Sequence, residues 1–260
     1  MTTSDPLSAS LPSGAAMPLL GFGTWQITGD ECYDAVRAAL DVGYRHLDTA
    51  MVYRNEEEVG RALADSGVPR DEVFVTTKVP PNADDPRKVL EASLEKLRTD
   101  HLDLWLIHWT ENESIHEDLW RVLLEAQQAG TVRDVGVSNY SLDQIDRLTE
   151  ATGTQPTVNQ IEWAPTLYDA EVERGHDKRG IVLEGYSALK NSDFDDPVLR
   201  EVAATHGVTP AQVVLRWHLD HGVVVIPKSV NADRIAANFA ITDFSLSPDE
   251  VARIDGLAAG

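Results

Sequence analysis

Cysteine is almost missing from this 260-residue chain, where Cys32 stands alone. A lone thiol closes no intramolecular disulfide, which excludes a small disulfide-stapled fold and leads us to expect a reducing, cytoplasmic setting. Cys32 falls within a helical pattern and reads as a small core residue. Positive charge is scarce as well: 22 Lys and Arg against 43 Asp and Glu leave a net charge of −21. Such a surface repels phosphate backbones and anionic lipids, which argues against nucleic acid and membrane surfaces as partners. No apolar run approaches the ~20 residues of a bilayer span. The opening MTTSDPLSASLPSG has neither the basic nor the apolar part of a secretory signal, and residues 1–14 are expected to form a poorly ordered lead. Also lacking is a G-x-G-x-x-G turn. The first strand-like run ends in GFGTWQ, without the third glycine and without a helix directly after it, which disfavours a doubly wound sheet.

What remains is a repeating alternation. Short β-branched runs at residues 19–23, 44–48, 73–78, 102–108, 132–138, 157–161, 181–186 and 223–226 predict eight strands. Between them lie stretches such as CYDAVRAALDV, EEEVGRALADS and PRKVLEASLEKLR, apolar at helical spacing. Eight strand–helix pairs predict an α/β fold of the (β/α)8 TIM-barrel type, one domain over residues 1–260. Two helices are predicted between the seventh and eighth strands. A last one, SPDEVARIDGL, has Ser247 as its N-cap and Pro248 in its first turn.

In such a barrel the C-terminal strand ends form the active face. Asp48 closes the second predicted strand, Tyr53 follows five residues later, Lys78 closes the third and His108 the fourth. Each alone has a bland explanation: a cap, a rim aromatic, a solvated lysine, a core histidine. Together they form a proton-donor set. A phenol, with a pKa of about 10, donates poorly unless its anion is stabilised, and a nearby ammonium does that. An aspartate paired with the lysine would hold it in place, Tyr53 could then protonate a carbonyl oxygen, and His108 would orient that oxygen. No side chain supplies a hydride, so the set asks for a nicotinamide cofactor.

Later strand ends offer binders. Ser138, Asn139 and Gln160 are short polar groups suited to a carboxamide, although Ser138 could equally cap a helix. Tyr186 offers a flat ring for stacking. Lys228, Ser229, Asn231 and Arg234 lie at a loop and helix start, an anion site that suits a 2′-phosphate better than a bare ribose.

In order and spacing these segments closely resemble the aldo-keto reductase superfamily, in particular its bacterial diketogluconate-reductase-like branch. GYRHLDTAMVYRNEEEVGRAL is similar to the first family signature, with Asp48, Tyr53, Lys78 and His108 in the catalytic places. GVSNY, NQIE, YSAL and IPKSVNADRIAANF resemble the cofactor-binding stretches. The resemblance implies a barrel that binds NADPH/NADP+ and reduces aldehydes or ketones. It implies that Tyr186 stacks on the nicotinamide while Ser138, Asn139 and Gln160 hold its amide. Lys228, Ser229 and Arg234 then take the 2′-phosphate and Asn238 reaches the adenine, with Thr24, Ser187, Leu189, Val230 and Asn231 as further contacts. Trp25, Met51 and Trp109 wall the substrate pocket. The implied partner is a small carbonyl compound, and the implied state a monomer with no metal.

The departures from the family pattern are Ala237 where glutamate is usual, Met51 and Arg54 in the first signature, Ala188 in YSAL, and Lys190 where glycine is common. Short segments at 190–196 and after His108, and an early end, predict an open, shallow site with a broad substrate range. Two other functions fit parts of the pattern: a metal-dependent hydrolase using His46, Asp48 and His108, and a nucleotide sensor with little turnover.

Overall fold

The computed structural model describes residues 7–111 and 113–259. Eight parallel strands form the barrel: β3 (Phe22–Gly23), β4 (His46–Asp48), β5 (Phe74–Val79), β6 (Leu102–Ile107), β7 (Val132–Ser138), β8 (Val158–Glu162), β9 (Val182–Tyr186) and β10 (Val224–Val225), hydrogen-bonded in sequence order. A parallel bridge between Leu20 and Val225 closes the ring. At this seam the GFG run has a structural use. A Cβ on Gly21 would lie 2.6 Å from His46 Nδ1, and one on Gly23 would lie 2.7 Å from the Ile226 carbonyl oxygen. The two glycines let the last strand approach the first, so the run is a closure device and not a phosphate turn.

Helices α1 (Gly29–Val42), α2 (Glu56–Asp65), α3 (Pro86–Leu97), α4 (Glu117–Gln128), α5 (Leu142–Thr152), α6 (Ala170–Arg179), α7 (Pro197–His206), α8 (Pro210–Asp220), α9 (Ala232–Phe239) and α10 (Pro248–Asp255) surround the strands. Their starts are written in the sequence. Ser141, Thr209 and Ser247 each form a capping box with the residue three positions on, and Asp85, Asp169 and Asp196 cap through their carboxylates. Two helices do separate β9 from β10. The strand interior points apolar groups such as Val75, Trp105 and Val135 outward against the helices.

The expected loose lead is corrected from Leu7 onward; residues 1–6 lie outside the described residues. Strand β1 (Ser8–Ser10) pairs antiparallel with β2 (Ala16–Pro18). Leu11 and Met17 are buried, and the Ser13 hydroxyl donates to Asp134 on β7. The hairpin therefore plugs the barrel at the end opposite Ser138. Burial of two apolar side chains outweighs the low strand propensity of SASLPSG. No helix among the described residues is long and apolar enough to cross a membrane.

Candidate active site

The C-terminal face holds a cavity of about 640 Å³. Asp48, at the end of β4, and Lys78, on β5, are fully or nearly fully buried at its floor. Lys78 Nζ donates to Asp48 Oδ1 at 2.6 Å, to Oδ2 at 2.8 Å and to the Thr49 carbonyl at 2.9 Å. Gln160 Nε2, from β8, donates to Asp48 Oδ2 at 2.8 Å. Burial by itself lowers a lysine's pKa, but Asp48 and then Tyr53 more than offset it, so Lys78 stays charged with its pKa above the ordinary value.

Tyr53 lies on a single 3-10 turn, Met51–Tyr53, which the left-handed Arg54 ends. Asn55 ties that turn down. Its amide donates to the carbonyls of Thr24 and Ile27 at 2.8 and 2.9 Å, and its oxygen accepts from the Thr49 hydroxyl at 2.8 Å. Lys78 Nζ lies over the Tyr53 ring, 5.2 Å from its centroid, and the His108 ring meets Tyr53 edge-on at 5.5 Å. Burial raises the phenol's pKa and Lys78 pulls it back, with burial prevailing. Burial, then the charge of Lys78, pushes His108 down to about 3, so the imidazole is neutral at physiological pH. The four residues spread over three strand ends thus come together.

The amide group also assembles. Asn139 adopts the left-handed region at φ 62°, which its short side chain tolerates. Its Nδ2 donates to Ser138 Oγ at 3.0 Å, and its Oδ1 accepts from the Tyr186 hydroxyl at 2.8 Å. Tyr186 is thereby fixed at its tip while it lines the cavity. Ser187 and Leu189 line it too, as do Trp25 and Trp109.

Other expected positions differ. Thr24 is fully buried, and its hydroxyl donates to the Asp48 carbonyl at 3.0 Å, so its side chain braces the floor and does not line the cavity. Met51 does not line the cavity either; Val52, one step around the tight turn, does. Lys228 stands on the cavity rim. Beyond it, Asn231 caps α9 by accepting from the Arg234 amide at 2.9 Å, and Ser229 accepts from the Asn231 amide at 3.1 Å. Lys228 and Arg234 are exposed and enter no ion pair among the described residues. Val230 is exposed beside them, whereas Asn238 is buried on α9, away from the lining.

The site occupies the C-terminal face. It runs from Trp25, 47 % exposed at the rim, down to Asp48, 2 % exposed at the floor. Lys190 reaches over the Trp25 ring at 5.9 Å, bringing the strand-seven loop across to the strand-one loop. Gln26, Glu162 and Lys190 are lining residues that strand-end logic missed. Lys190 had a signal, as a cation where the family pattern has glycine. Asn55 had none, because its three partners are brought together only by the fold. The trio of the metal-hydrolase reading is divided: Lys78 occupies both oxygens of Asp48, and His46 lies within reach of the Pro18 carbonyl and the Thr76 hydroxyl.

The model of the aldo/keto reductase family matches residues 19–259. This chain belongs to the aldo/keto reductase family. It is 43% identical over 262 residues to a methylglyoxal reductase of Salmonella typhimurium, covering 98% of this chain and 95% of the relative. An aldo-keto reductase of Mycolicibacterium smegmatis is 44% identical over 257 residues, covering 96% and 93%. Among solved structures, an aldo/keto reductase from Brucella melitensis superposes with a TM-score of 0.92 at 39% identity, covering 96% and 98%. A Bombyx mori aldo-keto reductase in complex with NADP gives 0.89 at 34%, covering 96% and 92%. As a member of this family, the protein is an oxidoreductase, and the eight-strand barrel agrees with the fold of these neighbours.

Proposed function

We propose that this protein reduces aldehydes and ketones to alcohols with NADPH, with Tyr53 as the general acid and a broad range of carbonyl substrates. The observation that carries the reading is the buried Lys78–Asp48 pair set directly against the Tyr53 ring. Burial keeps the phenol protonated at rest, and Lys78 lessens the cost of the phenolate left after the proton moves to the carbonyl oxygen. Asp48 holds the ammonium, and Gln160 and Thr24 hold Asp48. Neutral His108 offers one N–H to orient the same oxygen without competing for the proton.

The residues present fit a dinucleotide phosphate. Tyr186 offers a wall fixed at its hydroxyl, and Ser138, Asn139 and Gln160 present polar atoms beside it. Among the described residues, Lys228 on the rim and Arg234 beyond it are exposed cations without an ion-pair partner. When bound, that cofactor supplies the hydride. The substrate side is walled by Trp25, Val52 and Trp109, which contact carbonyl compounds through apolar surface and set few polar demands. That is consistent with the methylglyoxal reductases among the relatives and with larger carbonyls.

The test is a panel of methylglyoxal, aliphatic and aromatic aldehydes and a ketone, followed by NADPH oxidation and alcohol formation, then repeated with NADH. Several substrates should be reduced at comparable kcat/KM, with the lower cofactor KM for NADPH. A steep preference for one small aldehyde would refute the breadth, and no reduction at all would refute the reaction.

A further inference from the structure

Behind the tetrad lies a second carboxyl group that the proposed reaction does not use. Glu184 is fully buried in the middle of β9, in register with Gln160 on β8 and Val224 on β10. Among the described residues neither of its side-chain oxygens meets hydrogen-bond geometry, although the neighbouring Gln160 amide, already given to Asp48, favours its ionised form. Its nearest basic neighbour is His46 on β4, with Nε2 3.7 Å from Oε1, too long for a hydrogen bond. Burial pushes His46 down to about 4, so it brings no positive charge.

Lys78 is bonded to Asp48 and Thr49 and comes within 4.0 Å of no Glu184 oxygen. The groups that act on Glu184 are Asp48, the Gln160 amide and Lys78, with His46 alongside and Tyr53 feeling its charge in turn. This interior therefore holds two carboxyls and one ammonium. An ionised Glu184 would be an uncompensated charge in a sealed space, which is costly. Burial first, then the charge of Asp48, pushes Glu184 up to about 8.

We propose that Glu184 is a positioning residue for the tetrad, a buried acid whose deprotonation puts unbalanced negative charge behind Lys78 and so restrains Tyr53 from becoming a phenolate. The inference rests on the reading of Tyr53 as the proton donor. While Glu184 keeps its proton, Asp48 alone balances Lys78 and the phenol can release its proton. Once Glu184 has ionised, phenolate formation is opposed, so reduction slows.

Glu184→Gln removes the proton without changing the shape. In the cofactor-free protein, the phenolate absorbance of Tyr53, taken as the difference from Tyr53→Phe, should titrate about one pH unit lower in Glu184→Gln than in wild type. The kcat of reduction should show a step of up to about tenfold near pH 8 in wild type, lost in Glu184→Gln and retained in Glu184→Asp. An unmoved phenolate titration overturns the role of Glu184, whatever the protein reduces. Intact reduction by Tyr53→Phe instead overturns the reading of Tyr53. Should Glu184→Gln not fold, infrared spectroscopy of Asp134→Asn, which removes another buried carboxyl whose pKa burial raises, decides. A protonated-carboxyl band at pH 7 that vanishes near pH 8 supports the proposal, and its absence at pH 7 overturns it.

Discussion

At the barrel floor Lys78 is sealed from water and bonded to Asp48 and Thr49, whereas at and just beyond the rim Lys228 and Arg234 stand exposed without an ion-pair partner among the described residues. Both ends of the cavity rely on cations, but the two sets are built for different tasks. A buried, fully bonded charge is already oriented before any substrate arrives, which suits a group that must stabilise a short-lived phenolate. An exposed, unpaired charge costs little to keep in water and gains its partner only on binding, which suits recognition of a phosphate. The contrast predicts that the floor resists salt and punishes mutation through stability, while the rim tolerates mutation and responds to salt.

The largest expected effect is at the floor. Lys78→Met leaves Asp48 buried without its counter-charge, which should cost about 3–5 kcal/mol of stability as well as most of the activity. Thermal melts and kcat/KM measured together check this, and an unchanged melting temperature would break the contrast. At the rim, Lys228→Ala and Arg234→Ala should each leave the melting temperature in place. Each should raise the KM for NADPH by about 10–100-fold, the worth of one charged hydrogen bond, and leave the KM for NADH nearly unchanged. Added salt should raise the wild-type KM for NADPH more steeply than that of either variant, which keeps one of the two exposed charges to be screened.

A smaller effect concerns acid. His108, pushed down to about 3, binds its proton less readily in the folded state than in the unfolded chain, where the pKa is about 6.5. The unfolded state therefore takes up a proton first as pH falls. The stability involved is fully present above about pH 6.5 and is lost progressively toward pH 3. Melting temperatures from pH 7 to pH 4 should fall less steeply in His108→Asn than in wild type.

How much of this could be read in the sequence follows the same division. Asp48, Lys78 and His108 were legible because each sits at or just past a strand end, and period-two patterning with turn signals marks such ends well. Ser138, Gln160 and Tyr186 were legible for the same reason. The capping serine of α10 announced itself through Pro248 and Glu250. What escaped depends on packing that sequence spacing does not encode. Val52 replaced Met51 on the lining because a 3-10 turn, not a helix or a strand, carries Tyr53. Thr24 turned away from the cavity because Asp48 needed its hydroxyl. The hairpin of Ser8–Ser10 with Ala16–Pro18 is held by a barrel end that forms only when the ring closes. Glu184 read as part of an ordinary strand, since nothing local says that its carboxyl would be buried near that of Asp48.

Tyr53→Phe tests the division between floor and rim most directly, with two quantities taken on one protein. These are kcat/KM for reduction of an aldehyde by NADPH, and the Kd for NADPH from quenching of tryptophan fluorescence. Reduction should fall by about 10³-fold while the Kd stays at the wild-type value. Reduction near the wild-type rate, or loss of reduction together with loss of NADPH binding, would contradict the assignment of the proton to Tyr53 and of cofactor recognition to the rim.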